Sequence, residues 1–132
     1  MKTLKYSKQR EAIKEYLVST NSHPTADAVY LHVKEDFPNI SLGTVYRNLN
    51  LLADLGEITK ITTPDGADRL DACTKPHYHF YCKECKQVFD MPLNTIESID
   101  QIAAENFDGE IDSHTIMFCG TCADCKMRKR SS

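Results

Sequence analysis

Residues 40–72 read ISLGTVYRNLNLLADLGEITKITTPDGADRLDA. Ser41 stands where a side-chain oxygen takes up a free amide at a helix start. Leu42, Val45, Leu49, Leu52 and Leu55 then recur at helical spacing on one face, until Gly56 supplies the residue that commonly follows a helix C-terminus. Two short β-like runs come next, either side of Pro64-Asp65-Gly66, whose residues favour a tight turn. Upstream, Ser7 caps an expected helix to about Ser19, with Ile13, Tyr16 and Leu17 on one face. Thr25 caps another, Ala26 to Asp36, which must stop before Phe37-Pro38 because the residue ahead of a proline avoids the helical region. Helix, helix, helix, hairpin is the order of a winged helix-turn-helix, in which the third helix enters the DNA major groove. The face it would present is Ser41, Thr44, Tyr46, Arg47 and Asn48. These are short hydroxyls for phosphates, an arginine able to pair with guanine, an amide, and a ring that packs on a thymine methyl. The competing reading is a three-helix core with a polar face and no ligand.

The 132-residue chain carries a net charge of −3, which argues against a generally polybasic nucleic-acid binder. Positive charge is instead local: Lys2, Lys5, Lys8, Arg10 and Lys14 stand against only Glu11 in the first fourteen residues. Lys8 and Arg10 therefore join the candidate DNA contacts. No apolar run reaches the ~18 residues of a membrane span, and the first residues lead into charged sequence and not into an apolar signal core. A cytoplasmic protein with no membrane partner is expected. In that reducing compartment the six cysteines, at 73, 82, 85, 119, 122 and 125, read as metal ligands or redox thiols before they read as disulfides.

Past residue 76 the pattern changes to strands, expected at His77–Tyr81, Gln87–Met91 and Ile111–Phe118, around one helix. Asn94 with Glu97 resembles a capping box, and Ile96, Ile99, Ile102, Ala103 and Phe107 follow at helical spacing. So small a core needs a metal, a second copy, or both. The tail KMRKRSS reads as a solvated end. Cys82-Lys-Glu-Cys85 and Cys122-Ala-Asp-Cys125 are two C-x-x-C pairs that let four thiolates converge on one structural zinc. Cys119 forms a competing C-x-x-C with Cys122, so spacing alone leaves the second pair open. A redox dithiol is the alternative, but it needs one such pair at a helix start in a βαβ setting. Cys73 is left over, with a small half-buried residue as its simplest explanation. His77 and His79, two apart in a strand, project from one face, and Asp71 and Asp90 lie on neighbouring segments. Nitrogen and oxygen donors of this kind suit Fe(II), Mn(II) or Zn, bound more weakly than zinc by four thiolates. A solvated strand face is the alternative here.

Taken together, HPTADAVY (23–30), ISLGTVYRNLNLLADLG (40–56), RLDA (69–72), HYHFYCKEC (77–85), VFD (88–90) and GTCADC (120–125) resemble the ferric-uptake-regulator (Fur) family and, within it, the peroxide-sensing PerR branch. The likeness runs from about residue 7 to 125. It implies an α+β chain with an N-terminal winged helix-turn-helix domain, 1–72, and a small α/β metal-binding dimerisation domain, 73–132, stapled by zinc. It further implies a homodimeric, metal-dependent transcriptional repressor that binds a palindromic operator in double-stranded DNA, and that is not an enzyme. Carried over, structural zinc falls on Cys82, Cys85, Cys122 and Cys125, and regulatory Fe(II) or Mn(II) on His23, Asp71, His77, His79 and Asp90. Tyr46 and Arg47 match the family's base-contacting pair, and His23 and His77 the imidazoles that hydrogen peroxide oxidises through the metal. Iron-sensing members place glutamates where Asp71 and Asp90 stand. Zinc-sensing members often place a cysteine at the Asp71 position, two residues from Cys73. An iron- or zinc-responsive regulator is accordingly the alternative function. The additional site of iron regulators needs polar ligands where Pro76 and Tyr78 stand; only Glu97 and His114 match it. Many relatives also carry a helix ahead of residue 7 that lies near the minor groove, which leaves the affinity and reach of this chain on DNA open. Outside the family, a thiol enzyme using Cys119-Gly-Thr-Cys122 and a zinc-stapled interaction module are the rivals.

Overall fold

Two compact units, Met1–Thr74 and Lys75–Ser132, divide the chain. The structure, a computed structural model, describes residues 7–131; Lys2 and Lys5, counted above in the basic stretch, lie outside them.

In the first unit each helix begins where a hydroxyl takes up a free amide. Helix α1 (Lys8–Ser19) starts after Ser7, whose side chain accepts from the Arg10 amide at 3.2 Å. Helix α2 (Ala26–Val33) starts after Thr25, which accepts from Ala28 at 3.2 Å. Helix α3 (Leu42–Asp54) starts after Ser41, which accepts from Thr44 at 3.1 Å. Helix α2 is shorter than the expected Ala26–Asp36. The amides of Glu35, Asp36 and Phe37 close back onto the carbonyls of His32 and Val33, tightening the last turn ahead of Pro38. Helix α3 ends on Gly56, at φ 75°, with the Gly56 amide on the Ala53 carbonyl and the Glu57 amide on the Leu52 carbonyl. That pair of bonds is a Schellman motif, which requires the left-handed residue glycine tolerates best.

Strands β1 (Thr59–Thr62) and β2 (Asp68–Asp71) then pair antiparallel, Thr59 opposite Asp71 and Thr62 opposite Asp68. Strand β2 packs against α1 and α2. Ile13, Leu17, Ala26, Val29, Val33, Ile40, Val45, Leu49, Leu52, Ile58 and Leu70 form one buried apolar cluster. Leu42 and Leu55, expected on the same stripe, are 38% and 48% exposed, because they occupy the two ends of α3 where the stripe runs off the packed surface.

The second unit holds β3 (His79–Cys82), β4 (Val88–Asp90), α4 (Ser98–Glu105), β5 (Met117–Gly120) and α5 (Ala123–Ser131). Its sheet runs β4-β3-β5, with β3 antiparallel to β4 and parallel to β5. Three details differ from the sequence reading. The expected strand Ile111–Phe118 is confined to Met117–Gly120, where it can pair with β3. Helix α4 begins at Ser98 with Glu97 as a cap position that makes no side-chain cap bond, so the Asn94–Glu97 box does not form. The tail is solvated as expected, Lys126 to Arg130 all being exposed, but its backbone is helical, which the sequence reading did not give. Its acidic first turn (Asp124) and basic last turn (Arg128, Lys129, Arg130) match the helix dipole. Tyr78, Tyr81, Cys82, Val88 and Cys125 are buried, but α4 buries none of its residues. Among the described residues no helix is long and apolar enough to cross a membrane.

Candidate metal centres

The ends of β3 and β5 bring the four cysteines together. Cys82 closes β3, Cys85 follows in a turn, Cys122 lies just past β5 and Cys125 on the first turn of α5. Two bonds fold the first pair: the Lys86 amide to the Cys82 carbonyl, 2.9 Å, and the Cys82 amide to the Gln87 carbonyl, 3.0 Å. Lys86 takes a left-handed φ of 64° to complete the turn. The four sulfurs all lie within 4.8 Å of one another, with Cys85 and Cys122 at 3.8 Å. A tetrahedral shell with Zn–S bonds of about 2.3 Å has an edge of about 3.8 Å, so the cluster fits a structural zinc site. Cys119 points elsewhere: it is exposed on β5 and is not in the group, and Cys73 is exposed too.

The thiols themselves call for a cation. Burial opposes charge on Cys82, yet the amides of Cys85, Cys122 and Glu84 aimed at its sulfur outweigh it and bring the thiol down to about 6. The Cys122 amide lies 3.3 Å from that sulfur. Its hydrogen bond with Cys122, and then burial, push Cys125 up to about 12. Cys85 is raised as well, the Gln87 amide being outweighed by burial and the Cys82 sulfur. One thiolate thus resists the next, and a divalent ion removes that resistance because it binds the deprotonated form.

The histidine and aspartate candidates come from both units, His23 and Asp71 from the first and His77, His79 and Asp90 from the second. In the first, His23 sits between α1 and α2 at φ 52°, a left-handed conformation that a non-glycine residue adopts only when its surroundings hold it there. The Arg69 guanidinium donates to its carbonyl at 3.4 Å, and the Leu70 amide bonds the next carbonyl, that of Pro24, at 2.9 Å. These bonds present the imidazole, 2% exposed, to Asp71 at the end of β2, with Nε2 and Oδ2 at 3.9 Å. The other oxygen of Asp71 accepts the Cys73 amide at 2.9 Å. A carboxylate this buried is costly unless positive charge faces it.

In the second unit the register of β3 and β4 sets His79 opposite Asp90. Asp90 Oδ1 lies 3.0 Å from His77 Nε2 and 3.5 Å from His79 Nε2. His77 Nδ1 is 2.8 Å from the Lys75 carbonyl, which only accepts, so Nδ1 carries the hydrogen. In a neutral ring the Nε2 lone pair then faces a carboxylate oxygen. Two acceptors in that position repel unless a proton or a metal ion joins them, and a second-sphere carbonyl on Nδ1 is the usual way to orient a ligating imidazole. This His/Asp group fits a regulatory metal.

On α3 the candidate DNA face is knit together. Ser41 Oγ and Thr44 Oγ1 are 2.9 Å apart, and Arg47 donates to Thr44 Oγ1 at 3.0 Å. Tyr46 is 46% exposed, Arg47 is exposed and Asn48 half-buried. On α1, Lys8 is exposed and Arg10 half-buried. Sequence reasoning missed the bonding of Tyr78. Its phenol meets His114, a partner 36 residues away that no local pattern signals.

The family model described as "Ferric uptake regulator family" matches residues 1–119. A "Peroxide-responsive repressor PerR" of Staphylococcus epidermidis is 37% identical over 118 residues, covering 89% of this chain and 79% of that protein. Among solved structures, the ferric uptake regulator Fur of Helicobacter pylori, described as having three functional metal binding sites, superposes with TM-score 0.80 at 25% identity, over 93% of this chain and 83% of that one. A peroxide stress regulator of Campylobacter jejuni shares the fold, with TM-score 0.75 at 24% identity over 89% and 88% of the two chains.

Proposed function

The chain belongs to the ferric uptake regulator family, and from that premise we propose that it is a metal-dependent repressor that leaves its DNA when hydrogen peroxide is present. The family is one of transcriptional repressors that bind DNA as dimers. The observation that carries the reading is the opposition of Asp90 Oδ1 to the His77 Nε2 lone pair, two acceptors that a cation reconciles, with His79 Nε2 3.5 Å from the same oxygen. Its finer form draws on the resemblance and on relatives named peroxide-responsive repressors. Fe(II) or Mn(II) would be held by His23 and Asp71 of the first unit together with His77, His79 and Asp90 of the second. Ligands drawn from both units make their relative orientation depend on ligation, and a dimer reads a palindrome only when its two recognition helices sit about one helical turn apart or a multiple of it. Self-association is supported by α4, whose Ile102 is 60% exposed, and by Phe107 beyond it at 58%.

On DNA, Tyr46 and Arg47 read bases, and Ser41, Thr44, Asn48, Lys8 and Arg10 hold phosphates or flanking edges. Fe(II) held by these histidines and aspartates would supply the one-electron chemistry that activates hydrogen peroxide, one peroxide oxygen passing to a neighbouring side chain and the other leaving as water. The imidazoles of His23 and His77 are then the first groups met, and a ring that has gained oxygen ligates less well. Each copy responds once, in the cytoplasm, with no turnover.

The test is to measure operator affinity of anaerobic protein with and without Fe(II) or Mn(II), then to treat both forms with peroxide and map added oxygen by peptide mass spectrometry. DNA release with one oxygen on His23 or His77, in the iron form alone, is expected. Release that tracks Cys73 or Cys119 oxidation whatever the metal would sink the peroxide-iron mechanism. Affinity that responds to iron or zinc and not to peroxide would make the chain a homeostasis regulator.

A further inference from the structure

Tyr78 stands between His77 and His79, yet its side chain turns inward and is 2% exposed. Its oxygen accepts the Ile96 amide at 2.8 Å and lies 2.5 Å from His114 Nε2. His114 Nδ1 lies 2.8 Å from Asp100 Oδ1. Donor rules fix the direction of this chain. The carboxylate accepts only, so Nδ1 donates; in the neutral ring Nε2 accepts from the phenol, and the phenol oxygen is left to take the Ile96 amide. Each group is satisfied, and none belongs to the zinc or regulatory-metal ligands described above. Asp100 belongs to the first turn of α4, and Ile96 lies just ahead of a helix that has no side-chain cap. The backbone joins in: the Met91 amide, one residue past β4, bonds the Tyr78 carbonyl at 2.9 Å.

We infer that Tyr78 and His114 are positioning residues for the regulatory metal. The relay from Asp100 through His114 to Tyr78 pins the backbone between His77 and His79 to the start of α4, and so sets the aim of both imidazoles at Asp90. The inference rests on the metal-dependent reading given above. It ties the metal-bearing strand to the helix whose apolar side chains are exposed, which makes ligand geometry answerable to whatever covers α4. Ligand-orienting groups of this kind are worth about 10- to 100-fold in metal affinity when removed. Groups acting as one unit lose their effect together and not additively.

The experiment counts free Mn(II) by electron paramagnetic resonance during titration of the zinc-containing full chain, wild type against Tyr78→Phe, His114→Ala and the double variant. Each single variant should weaken Mn(II) binding about tenfold with one zinc per chain retained, and the double variant should be no weaker than either. Loss of packing alone would lower the unfolding temperature and leave Mn(II) affinity of the folded, zinc-containing chain within twofold of wild type. A single variant that binds within twofold of wild type, or losses that add in the double, would overturn the relay. Absence of Mn(II) binding by the wild type would overturn the metal reading and the relay with it. Should Tyr78→Phe shed its zinc, His114→Ala carries the test alone under the same twofold criterion, because that ring lies toward the solvent end of the relay, 14% exposed.

Discussion

The two units solve the problem of stability in different ways. The first packs α1, α2 and α3 against one another and the hairpin against α1 and α2, and the resulting core of aliphatic side chains is sealed by residues of the same unit. The second buries two tyrosines, a valine and two cysteines, while its central helix hides nothing and Phe89, Leu93, Ile96, Ile102 and Phe107 stay exposed. Hydrophobic burial suffices where three helices enclose a volume. Where a thin sheet is joined by two short helices, one of which buries none of its residues, it does not, and ligation and association must supply the remainder.

The largest effect that could break this contrast is removal of a zinc ligand. Cys122→Ser should lose zinc and the dispersed amide resonances of residues 75–131, leaving the first unit's signals in place, because structural zinc contributes on the order of 10 kcal/mol to folding. Cys119→Ser should keep both zinc and fold. A second unit that stays folded without metal would end the comparison.

Next in size, Leu49→Ala, deep in the first core, should cost about 2–5 kcal/mol in urea unfolding. Ile102→Ala should leave the fold within about 0.5 kcal/mol and instead weaken self-association in sedimentation, as befits a side chain 60% exposed in its own copy.

Acid sharpens the contrast more gently. The Cys82 thiol is depressed to about 6, so its stabilising contribution is complete above the ordinary thiol value of about 8.5 and is lost as pH falls through about 6. Zinc retention against a chelator should fall off below that pH. A flat profile from pH 8 down to about 5 would contradict the assignment.

Smallest is the difference between helix caps. Ser41→Ala should cost about 1 kcal/mol, since an amide of α3 loses its acceptor. Glu97→Ala at α4 should change stability by less than about 0.5 kcal/mol, because no cap bond is there to lose.

How far the sequence could be read follows the same division. Ser7, Thr25, Ser41 and Gly56 act within four residues of themselves, and each does in the structure what its chemistry suggests. Val45, Leu49 and Leu52 repeat every turn because one helix face meets one core. In the second unit local signals misled. The Asn94–Glu97 spacing has the form of a cap, but the phenol of Tyr78 takes the Ile96 amide and the helix starts later. The expectation of a strand from Ile111 onward rests on the β-branched Ile111, Thr115 and Ile116, whereas what makes a strand is a partner, and β5 pairs with β3 over Met117–Gly120. Of the metal groups, the paired C-x-x-C was visible as spacing, though the choice between Cys119 and Cys125 was not. That choice is made by α5, which sets Cys125 on its first turn facing the cluster. His23 carries no spacing relation to other candidate ligands. What marks it is backbone conformation, φ 52°, a property no composition reveals.

The parallel pairing of β3 with β5 has a kinetic consequence. Strands β1 and β2 are joined by a turn of five residues and can find each other within microseconds, whereas residues 83–116 must be gathered before β3 meets β5. Such a loop closes against chain entropy before any sheet bond rewards it. Cys82 and Cys122 mark the two ends of that loop, so an ion held first by Cys82 and Cys85 shortens the search by capturing Cys122 and Cys125 on contact. The refolding rate of the second unit therefore rises with free zinc, and that of the first does not.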